Sequence, residues 1–212
     1  CDAVQAASTL PIDVDRLGVD FLSLSAHKLY GPKGAGALYV RKEGSAGAGR
    51  ATLVPQLEGG GQETGLRSGT LNVPGIVGFG RACAVAFSSR VREGRRLGAL
   101  RDRLLRKLRA GAPDCVVNGG LEHRLPQNLN VSFPGLSSGE LLAALPGVAL
   151  SSGSACLSSS PEKSYVLQAL GVPPDVKAGA VRFGLGRFNT AAEIDWAADR
   201  VLRAARRLRR KN

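Results

Sequence analysis

The sequence predicts an α/β protein, because strand patterns and helical patterns alternate along its 212 residues. Residues 19–25 alternate apolar and polar side chains, and 128–133 and 180–185 are rich in strand-forming residues, so three strands are predicted. Apolar residues recur at helical spacing from about 74 to 110 and again after 190. Strands and helices in this order are expected to pack as layers.

Shorter elements complete the predicted fold. They are strands over 37–40 and 148–151 and a helix over 139–145. The long helical pattern is expected to break near 88–89, where two serines adjoin. Thr190 with Glu193 has the spacing of a capping box, which predicts the start of the last helix.

The chain is strongly basic, with 29 Lys and Arg against 17 Asp and Glu and a net charge of +12. Nine basic residues fall in 90–109 and six in 203–211. Apolar residues at helical spacing accompany both stretches, namely Leu97, Leu100, Leu104, Leu105, Leu108, Ile194, Ala198, Val201, Ala205 and Leu208. We therefore expect the arginines to cover the solvated faces of two helices, with docking of an acidic protein or tRNA there as the alternative. Direct nucleic-acid binding is not expected, because aromatic residues make up 5% and no such motif is present.

Other bulk features favour a soluble, cytoplasmic protein. No apolar run approaches the roughly 18 residues that span a bilayer, and no charged-then-apolar leader opens the chain. Because the chain starts at Cys1 and contains no Met, we expect a fragment of a longer polypeptide. The four cysteines lack CxxC spacing, which argues against a zinc site or a disulfide framework, and Cys83 and Cys115 are expected in the core.

A lysine at the end of the first predicted strand is a candidate site residue. Ser25, His27 and Lys28 follow the strand over 19–25 and precede a glycine-rich turn at 31–36. A lysine there is held on rigid backbone at the carboxyl edge of a strand, where α/β sheets bind ligands. Schiff-base chemistry requires one such amine, partly desolvated. From this pattern alone, a surface lysine is the more common interpretation.

Five segments in order resemble those of cysteine desulfurases of the IscS/NifS type, a branch of the aminotransferase-like fold. They are DAVQ at 2–5, SAHKLYGPKGAGALYV at 25–40, GGGQETGLRSGT at 59–70, SSGSAC at 151–156 and VRFGLG at 181–186. The resemblance implies the PLP-dependent transferase fold (aminotransferase fold type I), with pyridoxal 5'-phosphate (PLP) as cofactor. It implies that 1–85 form the C-terminal part of an incomplete PLP-binding large domain, 86–112 a linking helix and 113–212 a small C-terminal α/β domain.

The resemblance also implies roles for single residues near the cofactor. Lys28 would bind PLP covalently and, once freed, move the Cα proton of the substrate. Asp2 would pair with the pyridinium nitrogen and keep it protonated, and Gln5 would bond the phenolic oxygen. Ser25 and His27 would reach the phosphate, and His27 could assist proton transfer.

Three further residues complete the implied site. Thr70 would reach the phosphate held by the neighbouring subunit, which implies a homodimer, and Arg182 would bind the substrate carboxylate. Cys156 lies in the serine-rich segment 151–160, whose composition predicts an exposed, mobile loop. Its thiolate would be the nucleophile that takes the sulfur. A structural ion pair for Arg182 and an incidental surface thiol for Cys156 are the alternatives.

The implied reaction converts L-cysteine to L-alanine and leaves the sulfur on Cys156 as a persulfide. An iron–sulfur scaffold protein or a tRNA-thiolation relay would then accept it. No resident metal is implied, although Cys156 could transiently ligate an iron–sulfur cluster. The 212-residue piece alone is expected to bind PLP poorly and to have little activity. An ordinary PLP aminotransferase, a selenocysteine lyase and a non-enzymatic docking or dimerisation module remain alternatives.

Overall fold

The structure, a computed structural model, describes residues 1–41, 53–153 and 164–210. The chain divides into two units, Cys1–Arg92 and Glu93–Asn212. The helices, in chain order, are α1 (Val14–Leu17), α2 (Val73–Gly111), α3 (Ser138–Ala143), α4 (Tyr165–Ala169), α5 (Pro174–Ala178) and α6 (Ala191–Arg209). The strands are β1 (Phe21–Ser25), β2 (Gly36–Val40), β3 (Val116–Val117), β4 (Asn128–Ser132) and β5 (Ala180–Gly184).

The first unit contains a two-stranded antiparallel sheet. β1 pairs with β2 in a register that runs from Phe21 opposite Val40 to Ser25 opposite Gly36. Both predicted strands are confirmed, with small shifts at their starts. The apolar cluster of this unit joins the turn after β1 to α2 and consists of Ala26, Leu29, Phe79, Ala82 and Ala86. This packing matters because two strands alone form only a marginally stable sheet.

α2 is continuous over 39 residues, so the predicted break at 88–89 is wrong. The hydroxyls of Ser88 and Ser89 both donate to the Val85 carbonyl oxygen, at 3.0 and 2.7 Å. Serine hydroxyls that turn back onto the preceding turn are satisfied within the helix and do not end it. The division between the two units falls inside α2, after Arg92.

The second unit is built on a three-stranded antiparallel sheet with the order β3-β4-β5. The predicted strand over 148–151 is wrong, because only Ser151 pairs, in an isolated bridge with Arg182. The residues before it leave α3 through a turn in which the Val148 amide donates to the Leu145 carbonyl at 3.0 Å. That turn diverts the apolar run from the sheet before it can form a ladder.

α2 and α6 cover this sheet with the apolar stripes predicted from the sequence. The five leucines of the α2 stripe are all buried, and so are Ile194, Ala198, Val201 and Ala205 of α6, while Leu208 is partly buried. The capping box is confirmed: the Glu193 amide donates to Thr190 Oγ1 at 3.2 Å and the Thr190 amide to Glu193 Oε2 at 2.8 Å. This bond from the Thr190 backbone lowers the pKa of Glu193. Within the described ranges, no helix is long and apolar enough to cross a membrane.

A buried ion pair fixes the loop that follows β5. Glu93 is only 7% exposed, and its carboxylate accepts two hydrogen bonds from Arg187 Nε at 3.0 and 2.9 Å. Arg96, on the same helix, donates to the carbonyls of Arg187 and Asn189 at 2.6 and 2.8 Å. The first turns of α2 in this unit therefore set the path of the chain just beyond Arg182.

We expect Glu93→Ala to lower the free energy of unfolding by about 3 kcal/mol, because it removes the buried carboxylate that neutralises Arg187. Asp102→Ala is the matched control, since the exposed Asp102 pairs, among the described residues, only with its neighbour Arg101, and it should change stability by less than about 0.5 kcal/mol. Urea unfolding of the two variants measures both effects. Equal losses would contradict the importance of the buried pair.

Candidate active site

Lys28 lies in the short 3-10 helix Ala26–Leu29 that directly follows β1. Ala26 and Leu29 are 0% and 3% exposed and anchor the turn in the apolar cluster, whereas His27 and Lys28 are exposed. The predicted position at the end of a strand is therefore observed. The expected desolvation of the amine is not provided by the described residues of this chain.

Close backbone packing holds this turn in place. A Cβ atom at Gly36 would lie 2.7 Å from the Leu24 carbonyl oxygen, and one at Gly31 would lie 3.0 Å from both the Ala26 carbonyl oxygen and the Ala82 Cβ. Only glycine fits at either position without displacing its neighbours. The glycine-rich segment thus presses the lysine turn against β2 and α2.

Asp2 is brought beside the strand that carries the lysine. The first residues run parallel to β1, with the Ala3 amide donating to the Ser23 carbonyl at 3.1 Å and the Ser23 amide to the Cys1 carbonyl at 3.0 Å. The Asp2 carboxylate is exposed and accepts a hydrogen bond from the Val4 amide at 2.9 Å. Gln5 is exposed in the turn that follows.

Ser25 and His27 contact each other. Ser25 Oγ lies 2.9 Å from His27 Nδ1, a hydrogen bond across the start of the lysine turn. This contact orients the imidazole through Nδ1, and its Nε2 makes no hydrogen bond with a described residue. The hydroxyl and the imidazole together suit an anion such as a phosphate.

Thr70 ends a separate loop, the glycine-rich segment 59–70. The Gln62 side chain accepts from the Gly69 amide at 3.0 Å, and the Ser68 amide donates to the Leu57 carbonyl at 3.1 Å, so the loop is closed on itself. Glu63 and Thr64 have φ values of 50° and 58°, a left-handed conformation that is uncommon for residues other than glycine. Thr70 itself is exposed, and its role toward a neighbouring subunit stays a prediction.

Arg182 lies in a cleft of about 400 Å³ within the second unit. Its backbone is fixed on both sides, by pairing with Asn130 of β4 and by the 2.7 Å bond from its amide to the Ser151 carbonyl. The side chain is half-buried, and its guanidinium makes no hydrogen bond or ion pair with any described residue. Its donors are therefore available to a carboxylate, which a guanidinium binds through two parallel hydrogen bonds.

Several polar residues of this cleft were not predicted from the sequence. His123, Asn130 and Tyr165 line it together with Arg182. Arg124 holds the loop before β4, donating to the Gly120 carbonyl at 2.9 Å and to Asn128 Oδ1 at 3.0 Å, and burial lowers its pKa. The chain contains only two histidines, so His123 could have been flagged, but the register between β4 and β5 that assembles the cleft is a tertiary feature.

Cys156 lies outside the described residues, but both ends of its segment are placed. The chain enters 154–163 from Gly153 and leaves at Ser164, and both of these residues line the Arg182 cleft. Burial raises the pKa of Cys115 and of Cys83, which disfavours their thiolates. Cys115 is buried, as predicted, whereas Cys83 is only partly buried.

The donor groups of the first unit fit PLP. Lys28 offers a primary amine for the aldehyde, Asp2 a carboxylate for the ring nitrogen, and Ser25 with His27 a hydrogen-bonded pair for the phosphate. All four lie on β1, on the turn after it or on the segment paired with it. Within the described part of the chain, no group of three or more His, Cys, Asp or Glu side chains could hold a metal ion.

Comparison with known proteins gives a consistent result. The family model described as aminotransferase class-V matches residues 1–196. A cysteine desulfurase IscS from Anaeromyxobacter sp. (strain Fw109-5) is 53% identical over 209 residues, which is 99% of this chain and 50% of the relative. A cysteine desulfurase from Homo sapiens is 43% identical over 208 residues, 98% of this chain and 44% of the relative. The chain spans about half the length of the curated relatives it matches.

Two solved structures are also similar. A NifS-like protein superposes with a TM-score of 0.82 at 36% identity, over 95% of this chain and 50% of that chain. A structure titled SspA in complex with cysteine has a TM-score of 0.64 at 34% identity, over 89% of this chain and 50% of that chain.

Proposed function

This chain belongs to the aminotransferase class-V family, and we propose that it is the C-terminal half of a cysteine desulfurase. The predicted fold class is confirmed: the chain has the α/β fold type I of PLP-dependent transferases, as far as its length covers that fold. The proposed reaction converts L-cysteine to L-alanine and transfers the sulfur to Cys156. This proposal also assigns roles to the predicted domains. Residues 1–85 hold the cofactor, and residues 113–212 carry the cysteine segment.

One observation carries the proposal. The segment that contains Cys156 begins and ends at residues that line the cleft of Arg182. An ordinary aminotransferase has no use for a thiol there, whereas a desulfurase needs one beside the bound amino acid. The names of the relatives support the same choice.

Each site residue has a defined task in this proposal. When bound, PLP supplies an electron sink that stabilises the negative charge left at the substrate Cα. Lys28 holds the cofactor and then accepts the Cα proton. Asp2 keeps the ring nitrogen protonated, Gln5 bonds the phenolic oxygen, and Ser25 with His27 binds the phosphate.

Sulfur transfer is the task of the cysteine segment. Arg182 binds the substrate carboxylate and so fixes the position of the substrate sulfur. The Cys156 thiolate attacks that sulfur, an S–S bond forms, and the substrate C–S bond breaks. Protonation of the remaining carbon skeleton gives L-alanine, and the persulfide passes to an acceptor.

The assembly and partners follow from the same proposal. Thr70 contributes to the phosphate site of a second subunit, which makes the enzyme a homodimer. The sulfur acceptor is an iron–sulfur scaffold protein or a tRNA-thiolation relay, and the enzyme works in the cytoplasm. Lys28 is exposed among the residues that the structure describes, and the 212-residue chain alone is expected to have little activity.

We expect Arg182→Lys to raise the KM for L-cysteine by about 10- to 100-fold with a smaller change in kcat, because a single ammonium replaces a bidentate carboxylate ligand. The matched control is Lys177→Arg, a half-buried basic residue on α5 outside the cleft. Steady-state kinetics of the complete polypeptide measures both. An unchanged KM in Arg182→Lys would remove Arg182 from the substrate site.

The proposal as a whole is tested by product analysis. The complete polypeptide, or this chain joined to the N-terminal half of the Anaeromyxobacter relative, is incubated with PLP, L-cysteine, a 2-oxo acid and a thiol reductant, which releases the persulfide sulfur as sulfide. Alanine and sulfide in equal amounts are expected. Transfer of the amino group to a 2-oxo acid without sulfide would identify an aminotransferase, and faster turnover of selenocysteine than of cysteine would identify a selenocysteine lyase.

A further inference from the structure

Three arginines of α6 line one groove of the second unit. Arg200, Arg203 and Arg207 lie at helical spacings of three and four residues and therefore on one face, over about 10 Å of the helix axis. They face the loop 144–148 across a groove of about 240 Å³, which we call the arginine groove. All three side chains are exposed.

The arginine groove has no matching negative charge among the described residues. The lining contains no aspartate or glutamate, and the guanidinium groups of Arg203 and Arg207 make no hydrogen bond or ion pair with a described residue. Arg206 and Arg209, on another face of α6, do have partners: the Gly111 carbonyl at 3.4 Å and the Asp114 carboxylate. Concentration of the unpaired arginines on one face distinguishes this groove from an ordinary solvated helix surface.

The carboxylates of α6 are already engaged elsewhere. Asp195 accepts two hydrogen bonds from Arg103, Asp199 pairs with Lys107 at 3.1 Å, and Glu193 caps the helix. None of them lines the arginine groove. The groove therefore presents a net positive charge that an external anion can neutralise.

An apolar cleft adjoins the arginine groove. It has a volume of about 330 Å³, and most of its lining is apolar, including Leu150 and Phe183. Its polar lining residues are Asn189 and Glu193, and the Glu193 carboxylate already accepts a hydrogen bond from the Thr190 amide. Gly147, Val148 and Trp196 line both spaces. Trp196 is 45% exposed, and the guanidinium of Arg200 lies 5.1 Å from its ring centroid, so the aromatic ring joins the charged surface to the apolar one.

We propose that the arginine groove and the adjoining apolar cleft form a docking surface for an acidic segment of a partner protein, in which carboxylates alternate with apolar side chains. The carboxylates pair with Arg203 and Arg207, and an apolar side chain enters the cleft beside Trp196. Tryptophan and arginine are the residue types that contribute most to protein–protein binding. This surface goes beyond the desulfurase chemistry, and its test does not depend on PLP.

A protein segment fits this surface better than a nucleic acid. The positively charged surface is short, because its three arginines occupy about two turns of helix. Proteins that bind a nucleic-acid backbone do so along longer basic grooves. Among the described residues, Trp196 is the one aromatic side chain that lines the arginine groove, and Arg200 occupies one face of its ring. The apolar cleft has no counterpart in a phosphate backbone.

Fluorescence of Trp196, the single tryptophan of the chain, reports directly on this surface. The 212-residue chain is titrated with a short synthetic peptide of repeated Glu-Glu-Leu units, with the Gln-Gln-Leu peptide and with a single-stranded RNA of similar length. We expect only the Glu-Glu-Leu peptide to bind and to change Trp196 fluorescence. Its affinity should fall as salt is raised, because the contacts are partly ionic.

Charge-reversal variants test where the Glu-Glu-Leu peptide binds. Arg203→Glu with Arg207→Glu should weaken binding of the Glu-Glu-Leu peptide by at least about 30-fold, since two charge-assisted contacts are lost. Arg92→Glu with Arg95→Glu makes the same change in net charge at exposed residues of α2 and should weaken it by less than about threefold. Circular dichroism verifies that both variants fold, and Arg203→Gln with Arg207→Gln replaces the first pair if it does not.

Three results would overturn the docking surface. Equal weakening by the two charge-reversed variants would mean that the peptide responds only to net charge. Equal binding of the Gln-Gln-Leu peptide would remove the role of the arginines. Tighter binding of the RNA, lost in the Arg203 and Arg207 variant, would make the groove a nucleic-acid site.

Discussion

Replacing Cys156 by alanine is expected to abolish sulfide release in the complete polypeptide, with a loss of at least about 10³-fold in kcat, because the nucleophile for sulfur is removed. The visible absorbance of protein-bound PLP should persist, since Cys156 has no part in holding the cofactor. Sulfide is measured with L-cysteine as substrate and a thiol reductant present. Cofactor binding and sulfur transfer would thereby be separated in one variant.

Cys1→Ser is the matched control for Cys156→Ala. The Cys1 thiol is exposed, like a surface cysteine, and Cys1 uses only its backbone to pair with β1. Near-normal activity is expected in this variant. Sulfide release that survived in Cys156→Ala, or vanished equally in Cys1→Ser, would show that Cys156 is not the sulfur carrier.

Replacing Lys28 by alanine should remove both the covalent attachment of PLP and the base for the Cα proton. We expect kcat to fall by at least about 10³-fold, because general-base catalysis alone contributes about 10²- to 10⁴-fold. Added small primary amines should restore part of the proton transfer. The visible absorbance of the cofactor and the rate of alanine formation are the two measurements.

Lys33→Ala tests whether the effect is specific to Lys28. Lys33 is an exposed lysine on the glycine-rich segment between the lysine turn and β2, so its removal makes the same change in charge close by. Activity within about threefold of the unchanged enzyme is expected, as for surface substitutions in general. A comparable loss in both variants would mean that the positive charge of the segment, and not one amine, is what the site requires.

The sequence alone predicted most of the elements and the placement of Lys28. Alternating strand-forming residues located β1, β4 and β5 to within two residues. The leucine stripe of α2 and the capping box of Thr190 were also predicted correctly from local patterns. Local patterns of this kind can be interpreted from the sequence because the periodicity of the apolar side chains decides which face of an element is buried.

The wrong secondary-structure predictions lie where hydrogen bonds to neighbouring residues outweighed the local sequence pattern. Ser88 and Ser89 look like a helix break, but their hydroxyls are satisfied by the Val85 carbonyl. The apolar residues 148–150 look like a strand, but a turn after α3 leaves only Ser151 to pair with β5. In both places hydrogen bonds to the preceding turn account for the outcome.

The cleft of Arg182 could be predicted only in part. Arg182 itself was predicted from the family motif, but His123, Asn130 and Tyr165 join it through the register of β4 and β5 and the placement of α4. The exposure of Lys28 could not be predicted from a local pattern either, because the burial of a side chain depends on which residues pack over it.

The most direct test of the account is mass spectrometry of the peptide that contains Cys156, taken after the complete polypeptide has reacted with L-cysteine and been alkylated. We expect one added sulfur atom on Cys156, formed in step with alanine and absent from the Lys28→Ala variant. Alanine formation with an unmodified Cys156 peptide, or with the added sulfur on Cys1, Cys83 or Cys115, would contradict it.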